Sequence, residues 1–337
     1  MYESYYNLSA KPFQLKPDPR FFFSSRNHKR AMAYLQYGLS QGEGFIVITG
    51  EVGAGKTTLV RNLFRDLDAQ KIVAAQIVNT HLSSEDTLKM VAAAFGVPFA
   101  DASKAELLTR LEQFLRNCDR QGKRALLVVD EAQNLSSQTV EELRMLSNFQ
   151  TNDNCLLQTF LLGQPEFRHT LLGADMVQLR QRVIASYHLG PMDPDECRTY
   201  IEHRLHTVGW RNDPSLHADV YTRIHSFTGG IPRKINTLCD RLFLMGYLEE
   251  IHAFDLSHIE TVIRDIEQEF DRGNAPLEDT ALSVNLLMRP GDPREAGFEH
   301  VVERLGKIER ALQSIVDALT KLLFSPKIKK PLEETNP

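Results

Sequence analysis

The chemistry in this 337-residue chain begins at "GEVGAGKTT", where Gly50, Gly55, Lys56 and Thr57 satisfy the spacing G-x-x-x-x-G-K-[ST]. The run follows the apolar stretch "FIVIT" and opens a helical pattern from Lys56 to Leu67, and that context turns a pattern into a site. Glycines let the main chain curl with its N–H groups inward. The loop Gly50, Glu51, Val52, Gly53, Ala54, Gly55, Lys56, Thr57 and Thr58 can thereby wrap the phosphates of a nucleotide such as ATP, helped by the positive end of the helix. Lys56 would reach the β- and γ-phosphates, and the Thr57 hydroxyl would ligate Mg²⁺.

A second constellation sits at "ALLVVDEA". The apolar run delivers Asp130 and Glu131 to the C-terminal edge of a strand, where ligands bind in parallel sheets. Asp130 can hold Mg²⁺, and Glu131 can polarise the water that attacks the γ-phosphate. Two adjacent carboxylates there point to hydrolysis rather than nucleotide sensing alone. Gln164, after the strand in "LLGQPEF", could touch the γ-phosphate or the water, or serve only as a turn residue before Pro165. Asn79, ending "QIVN", could hold Glu131 idle or simply start an Asx turn. His28 reads as a surface helix histidine more readily than as a neighbour of the base. Arg180 and Arg182, in "QLRQRV", precede the last strand and would face away from their own site, placed to serve a neighbouring subunit's nucleotide. Arg233, in "GGIPRKIN", opens a late helix that could fold over the loop, with Gly229 and Gly230 as its pivot.

These residues need an α/β frame to position them. Five apolar runs, "FIVIT", "IVAAQIVNT", "ALLVVDE", "LLQTFLLG" and "VIASYHLGP", alternate with helical patterns, which predicts a parallel five-stranded sheet covered by helices on both faces. An aromatic arm and helix (1–40), extended around "KPDPRFFF", precede this P-loop core (41–190). After Pro191 the strand signals stop. Four helical patterns, several opening on Asp or Ser beside Pro, predict an all-helical lid (191–270). A Gly, Pro and acidic linker (271–297) leads to "FEHVVERLGKIERALQSIVDALTKLLF" (298–325), whose apolar seam repeats every three and four residues. That helix either self-associates as a coiled coil or docks on its own domain. A disordered tail (326–337) is expected.

Composition narrows the function classes. Net charge is −5, so bulk charge does not recruit nucleic acid. The four cysteines are scattered without a C-x-x-C pair, which argues against a zinc site or disulfide framework and fits a reducing cytoplasm. No apolar run is long enough for a membrane span and no signal-peptide core is present, so membrane business would go through a partner.

The order of these parts, over roughly residues 30–270, resembles the AAA+ ATPases. Within them the chain looks like the family of general secretion pathway protein A, related to transposition ATPases, through "KPFQLKPDPRFFF", "GEVGAGKTTL", "LLVVDEAQNL", "LRMLSNFQT", "LLGQPEF", "LRQRV" and "GGIPRKIN". Its first 59 residues are similar to the secretion ATPase branch found with exosortase/PEP-CTERM systems in exopolysaccharide loci. The resemblance implies ATP hydrolysis with Mg²⁺ in a ring-like homo-oligomer. It also implies a cytoplasmic place near the inner membrane, with a secretion or polysaccharide-export component as partner. It carries Lys56, Thr57, Asp130, Glu131, Gln164 and Arg233 onto their family roles, with either Arg180 or Arg182 as the finger. Unlike the secretion protein itself, the sequence shows no transmembrane segment and no peptidoglycan-binding region after the ATPase part. A DNA-associated ATPase like the transposition regulators is the alternative, for which a local basic patch would be needed. A metabolite kinase fits poorly, because no acceptor pocket is evident.

Overall fold

Side-chain alternation on two buried faces decides the sheet. The computed structural model describes residues 1–274 except 17, 79–82 and 153. A short helix α1 (Tyr2–Tyr5) and a longer α2 (Arg26–Gln41) precede β1 (Phe45–Gly50) and α3 (Lys56–Asp66). Then come β2 (Ile72–Ile77), α4 (Ser84–Ala94), α5 (Lys104–Arg120), β3 (Arg124–Val129) and α6 (Ser137–Leu146). The sheet is completed by β4 (Leu157–Gly163), α7 (Pro165–Leu172), α8 (Val177–Arg180) and β5 (Val183–Leu189). All neighbours are parallel, in the order β2-β3-β4-β1-β5.

Phe45, Val47, Leu127, Val129 and Leu161 join the core beneath α4 to α8. Their chain neighbours Ile46, Ile48, Leu126, Val128, Phe160 and Leu162 join the opposite core beneath α2 and α3. Because both faces are covered, the strands are written as continuous apolar runs. Serine or aspartate side chains cap the starts of many helices: Ser83, Ser103 and Ser136 do so in the sheet domain, and Ser103 closes a capping box with Glu106.

Four helices follow the sheet: α9 (Pro194–Thr207), α10 (Ala218–Thr228), α11 (Pro232–Leu248) and α12 (Leu256–Asn274). The stretch after Pro191 is not purely helical. Two-residue strands, β6 (Ser215–Leu216) and β7 (Ala253–Phe254), pair in parallel and tie the starts of α10 and α12 together. A pair this short carries no periodicity to be read from sequence. Helix α12 also runs beyond residue 271, where a linker was expected.

The helical core takes in the N-terminal arm, which is not simply extended. Tyr2, Tyr6, Leu8, Phe13 and Phe21 are buried among Ile201, Leu205, Leu238, Leu242 and Ile263. The Tyr2 hydroxyl donates to Asp240 Oδ1 at 2.5 Å and the Tyr6 hydroxyl to the Ile251 carbonyl at 2.8 Å. Buried Arg204 on α9 donates to the Pro12 carbonyl (2.5 Å), the Gln14 carbonyl (3.1 Å) and the Tyr200 hydroxyl (2.9 Å). A buried guanidinium is tolerated because its donors are satisfied, and here they clamp the arm. Met1–Glu269 form one compact unit, and a second begins at Phe270. The linker from 275 on, the heptad segment 298–325 and the tail 326–337 lie outside the described residues, as does Asn79.

Candidate active site

Strand register brings the chemical residues to one edge. Thr49 of β1 is level with Gly163 of β4, and Val129 of β3 with Leu161 of β4. The loop after β1, the acids after β3 and Gln164 after β4 therefore emerge side by side.

Between β1 and α3 the chain turns through Gly53 (φ 84°) and Gly55 (φ 100°), a backbone region that side chains rarely adopt. Lys56 follows, only 7% exposed. Its ammonium donates to the carbonyls of Gly50 (2.6 Å) and Glu51 (3.1 Å). Among the described residues no carboxylate lies within ion-pair distance of it. Burial pushes its pKa down, while Glu131 and Asp130 pull it back up. A buried ammonium whose hydrogen bonds all go to neutral carbonyls can accept an anion.

The Thr57 hydroxyl donates to Asp130 Oδ2 at 2.8 Å, and Asp130 is 1% exposed. Two hard oxygen donors, one ionic, at the mouth of the phosphate loop fit Mg²⁺. Glu131 adopts left-handed backbone (φ 56°), unusual for a residue with a side chain. That turn aims its carboxylate across the edge toward β4. Oε2 accepts from Gln133 Nε2 at 2.6 Å and from Gln164 Nε2 at 3.3 Å. Gln133 Oε1 in turn accepts from the Gln164 main-chain N–H at 3.0 Å. Gln164 thus touches Glu131, while Gln133, given no role from sequence, buttresses both. Its position two residues after Glu131 in "DEAQNL" was the available signal.

His28 overturns its surface reading. It is 6% exposed, its ring turned to the glycine loop: a Cβ on Gly55 would come within 2.7 Å of His28 Nε2. Helix periodicity places it on the buried face of α2, but only the tertiary fold lays the loop there.

The start of α11 is seated on the same loop. The Arg233 N–H donates to the Gly53 carbonyl at 3.2 Å, and a Cβ on Gly53 would fall 2.3 Å from Arg233 Cβ. The Arg233 side chain is exposed and lines a cleft of about 390 Å³ with Val52, Lys56, Thr57, Thr58 and Glu131. The far wall of that cleft, formed by Phe22, Phe23, Met192, Tyr200, Arg204 and Asn236, was not singled out from sequence because it joins the arm to the helical domain. Of the two glycines before α11, Gly230 has a packing reason, while a Cβ on Gly229 would meet open space. Gly230 (φ 72°) accepts from Met192 N at 3.0 Å, and a Cβ there would lie 2.1 Å from the Met192 carbonyl oxygen.

Arg180 and Arg182 are not brought to this cleft. Arg180 donates to the Leu171 carbonyl at 2.8 Å, and Arg182 to Ser147 Oγ at 2.8 Å. They sit at the end of α8 and the entry to β5.

Residues 39–171 match the family described as "AAA domain". General secretion pathway protein A of Aeromonas hydrophila is 37% identical over 254 residues, which cover 75% of this chain and 46% of that protein. The chain thus spans about half the length of the curated relative it matches. Among solved structures, the Aeropyrum pernix ORC2 protein (ADPNP-ADP complexes) is similar with a TM-score of 0.59 at 16% identity, over 76% of this chain and 71% of that one. The Aeropyrum pernix ORC1 protein in complex with DNA gives 0.56 at 19%, over 79% and 73%. The architecture is therefore the P-loop NTPase fold of AAA proteins.

Proposed function

We propose that this chain binds ATP with Mg²⁺ and hydrolyses it, working as a ring-like homo-oligomeric switch or motor. The observation that carries the reading is the convergence of Lys56, the Thr57–Asp130 pair, Glu131 and Arg233 on one cleft of one chain. Lys56 would bind the β- and γ-phosphates. Thr57 and Asp130 would hold Mg²⁺, which neutralises phosphate charge. Glu131, oriented by Gln133 and Gln164, would take the proton of the attacking water. Arg233 would reach the γ-phosphate from its own chain, and Arg180 or Arg182 that of a neighbour.

The setting we propose is secretion, in the branch of envelope biogenesis that exports exopolysaccharide alongside exosortase. Support comes from the likeness to a protein named for the general secretion pathway and from the motifs quoted above. No helix among the described residues is long and apolar enough to cross a membrane. A cytoplasmic place at the inner membrane would then rest on a partner there. Co-purification with inner-membrane proteins from the native cell is the measurement that checks it. Likeness to origin-recognition proteins below 25% identity concerns architecture alone, so DNA association stays the alternative. ATPase activity stimulated by DNA, with a steep salt dependence, would favour it.

Glu131→Gln tests the hydrolytic reading. The variant should still bind Mg·ATP, while steady-state turnover drops about 10²–10⁴-fold, the range for loss of a positioned base. Turnover at the wild-type rate removes Glu131 from the role.

A further inference from the structure

A hydrogen-bonded chain runs from the N-terminal arm to α11. Arg204, held by the Pro12 and Gln14 carbonyls, lies over the Phe21 ring at 4.7 Å from its centroid. Its Nη1 donates to the Tyr200 hydroxyl at 2.9 Å, and Tyr200 Oη lies 2.8 Å from Asn236 Oδ1. The sense of the second bond follows from the first. A guanidinium only donates, so the phenol oxygen accepts from it and the phenol proton points elsewhere. Among the described residues Asn236 is the hydroxyl's only other partner, so the proton goes to the amide oxygen. With the amide reversed, that proton would have no acceptor on a side chain only 5% exposed. Asn236 therefore turns Oδ1 to Tyr200 and Nδ2 away. The residue is 6% exposed and lines the cleft. Its Nδ2 has no hydrogen-bond partner among the described residues, yet it is not sealed off as Thr159 Oγ1 and His203 Nε2 are. Two N–H donors are thus offered to the cleft, one turn of α11 beyond Arg233.

We infer that Asn236 binds the nucleoside half of the nucleotide, its Nδ2 donating to an acceptor atom there, and that Tyr200 is the positioning residue that holds the amide in this sense. The division of the cleft carries the assignment. Phosphates belong to the wall made by the glycine loop and Lys56, whose main-chain N–H groups and ammonium suit anions. Opposite, Phe22, Phe23, Met192 and Tyr200 present rings and a thioether, surfaces for a planar base rather than for phosphate. Asn236 belongs to that wall. Purine ring nitrogens and ribose oxygens are acceptors, and a donor is what they require. A free amide offers oxygen as readily as nitrogen. Here the oxygen is already taken by the phenol, so only the N–H groups face the ligand. The inference rests on the nucleotide reading of the cleft and adds a fixed polarity to it at the nucleoside, set from the arm through Arg204 and Tyr200.

The test titrates full-length protein with Mg·ADP and, as a probe without a nucleoside, with magnesium tripolyphosphate. Melting without ligand is followed in parallel. Asn236→Leu, close in size but without a donor, should weaken Mg·ADP roughly tenfold, the size of one neutral hydrogen bond, and raise KM for ATP more than it lowers kcat. Tripolyphosphate should bind as to wild type. Tyr200→Phe keeps the ring and removes only the hydroxyl. With the amide free to reverse, ADP should weaken severalfold. In the double variant, Tyr200→Phe should add nothing to the loss from Asn236→Leu, a coupling that a merely structural tyrosine would not show. Wild-type ADP affinity in either single variant, equal loss for both ligands, or additive losses in the double variant each overturn the inference. Should the variants fail to fold, or tripolyphosphate fail to bind wild type, a crystal structure of wild type with Mg·ADP decides. Nδ2 within about 3.2 Å of a sugar or base acceptor is expected; Nδ2 against a phosphate oxygen, or against no nucleotide atom, overturns the inference. Wild type that binds neither ADP nor ATP brings down the nucleotide reading itself, and this contact with it.

Discussion

Lys56 is a cation buried against neutral carbonyls, and that arrangement fixes what its removal does. Its desolvation is a cost the folded chain bears with no ion pair to it among the described residues, so Lys56→Ala should leave the melting temperature of the nucleotide-free protein unchanged or higher. Tight ATP binding should disappear, as isothermal titration would record. Unaltered ATP affinity would remove the lysine from the site. His28 sets a pH dependence of stability. Its folded pKa lies below the usual value, while an unfolded imidazole titrates near about 6.5. Below that pH the unfolded chain takes up a proton that the folded one refuses. The stability is therefore complete above roughly pH 6.5 and lost as pH falls below it. His28→Gln should lose less melting temperature than wild type between roughly pH 7 and pH 5.5. His203, shifted the same way, keeps part of the effect in both. At this scale the sequence was legible where chemistry is local. Gly50 to Thr58 and the Asp130–Glu131 pair are short spacings on predictable elements. Gln133 and His28 were not, since their work depends on which surfaces the fold lays together.

At the level of elements, the arm is the clearest case of a segment whose sequence signals its kind but not its place. Its aromatics and "KPDPR" are visible, but the face they cover is built about 200 residues later by α9 and α11. Leu8, Phe13 and Phe21 are buried, and at about 1.5–3 kcal/mol each they approach the total stability of a domain. Deleting residues 1–24 should unfold or aggregate α9 to α12 and open one wall of the cleft. A soluble deletion variant with the wild-type circular dichroism melt would contradict this packing. Gly230 makes the complementary point at a single turn. It combines left-handed φ with a Cβ position 2.1 Å from the Met192 carbonyl oxygen. Gly230→Ala should therefore cost about 1–3 kcal/mol in chemical denaturation, and more if the two linked loops must part. The parallel sheet itself was readable, because burial on both faces leaves uninterrupted apolar runs. The two-residue strands β6 and β7 were not, because register between distant loops leaves no pattern in so few residues.

For the whole molecule, the question is which arginine serves which nucleotide. The Arg233 main-chain N–H is joined to the Gly53 carbonyl of its own chain's glycine loop, which favours service to its own nucleotide. Arg180 and Arg182 stand outside the cleft. If one of them completes a neighbour's site, inactive chains should complement each other. One chain carries Lys56→Ala with its arginines intact; the other carries Arg180→Ala and Arg182→Ala with its loop intact. Each alone should be nearly inactive, and mixing should restore part of the ATP turnover, because the first supplies a finger to the second's nucleotide. Replacing the second partner by Arg233→Ala should give no restoration. A finger is worth about 10³–10⁵ in rate, so even a small fraction of mixed interfaces would register. The substitutions also remove own-chain hydrogen bonds to Leu171 and Ser147, so each variant must first melt as the wild type does. Mixed oligomers that form, seen by mass or light scattering, yet recover no turnover would end the assignment of the finger to this pair. Of the cleft's arginines, Arg204 is buried in its bonds to the arm, so an account of turnover would then rest on the exposed Arg233.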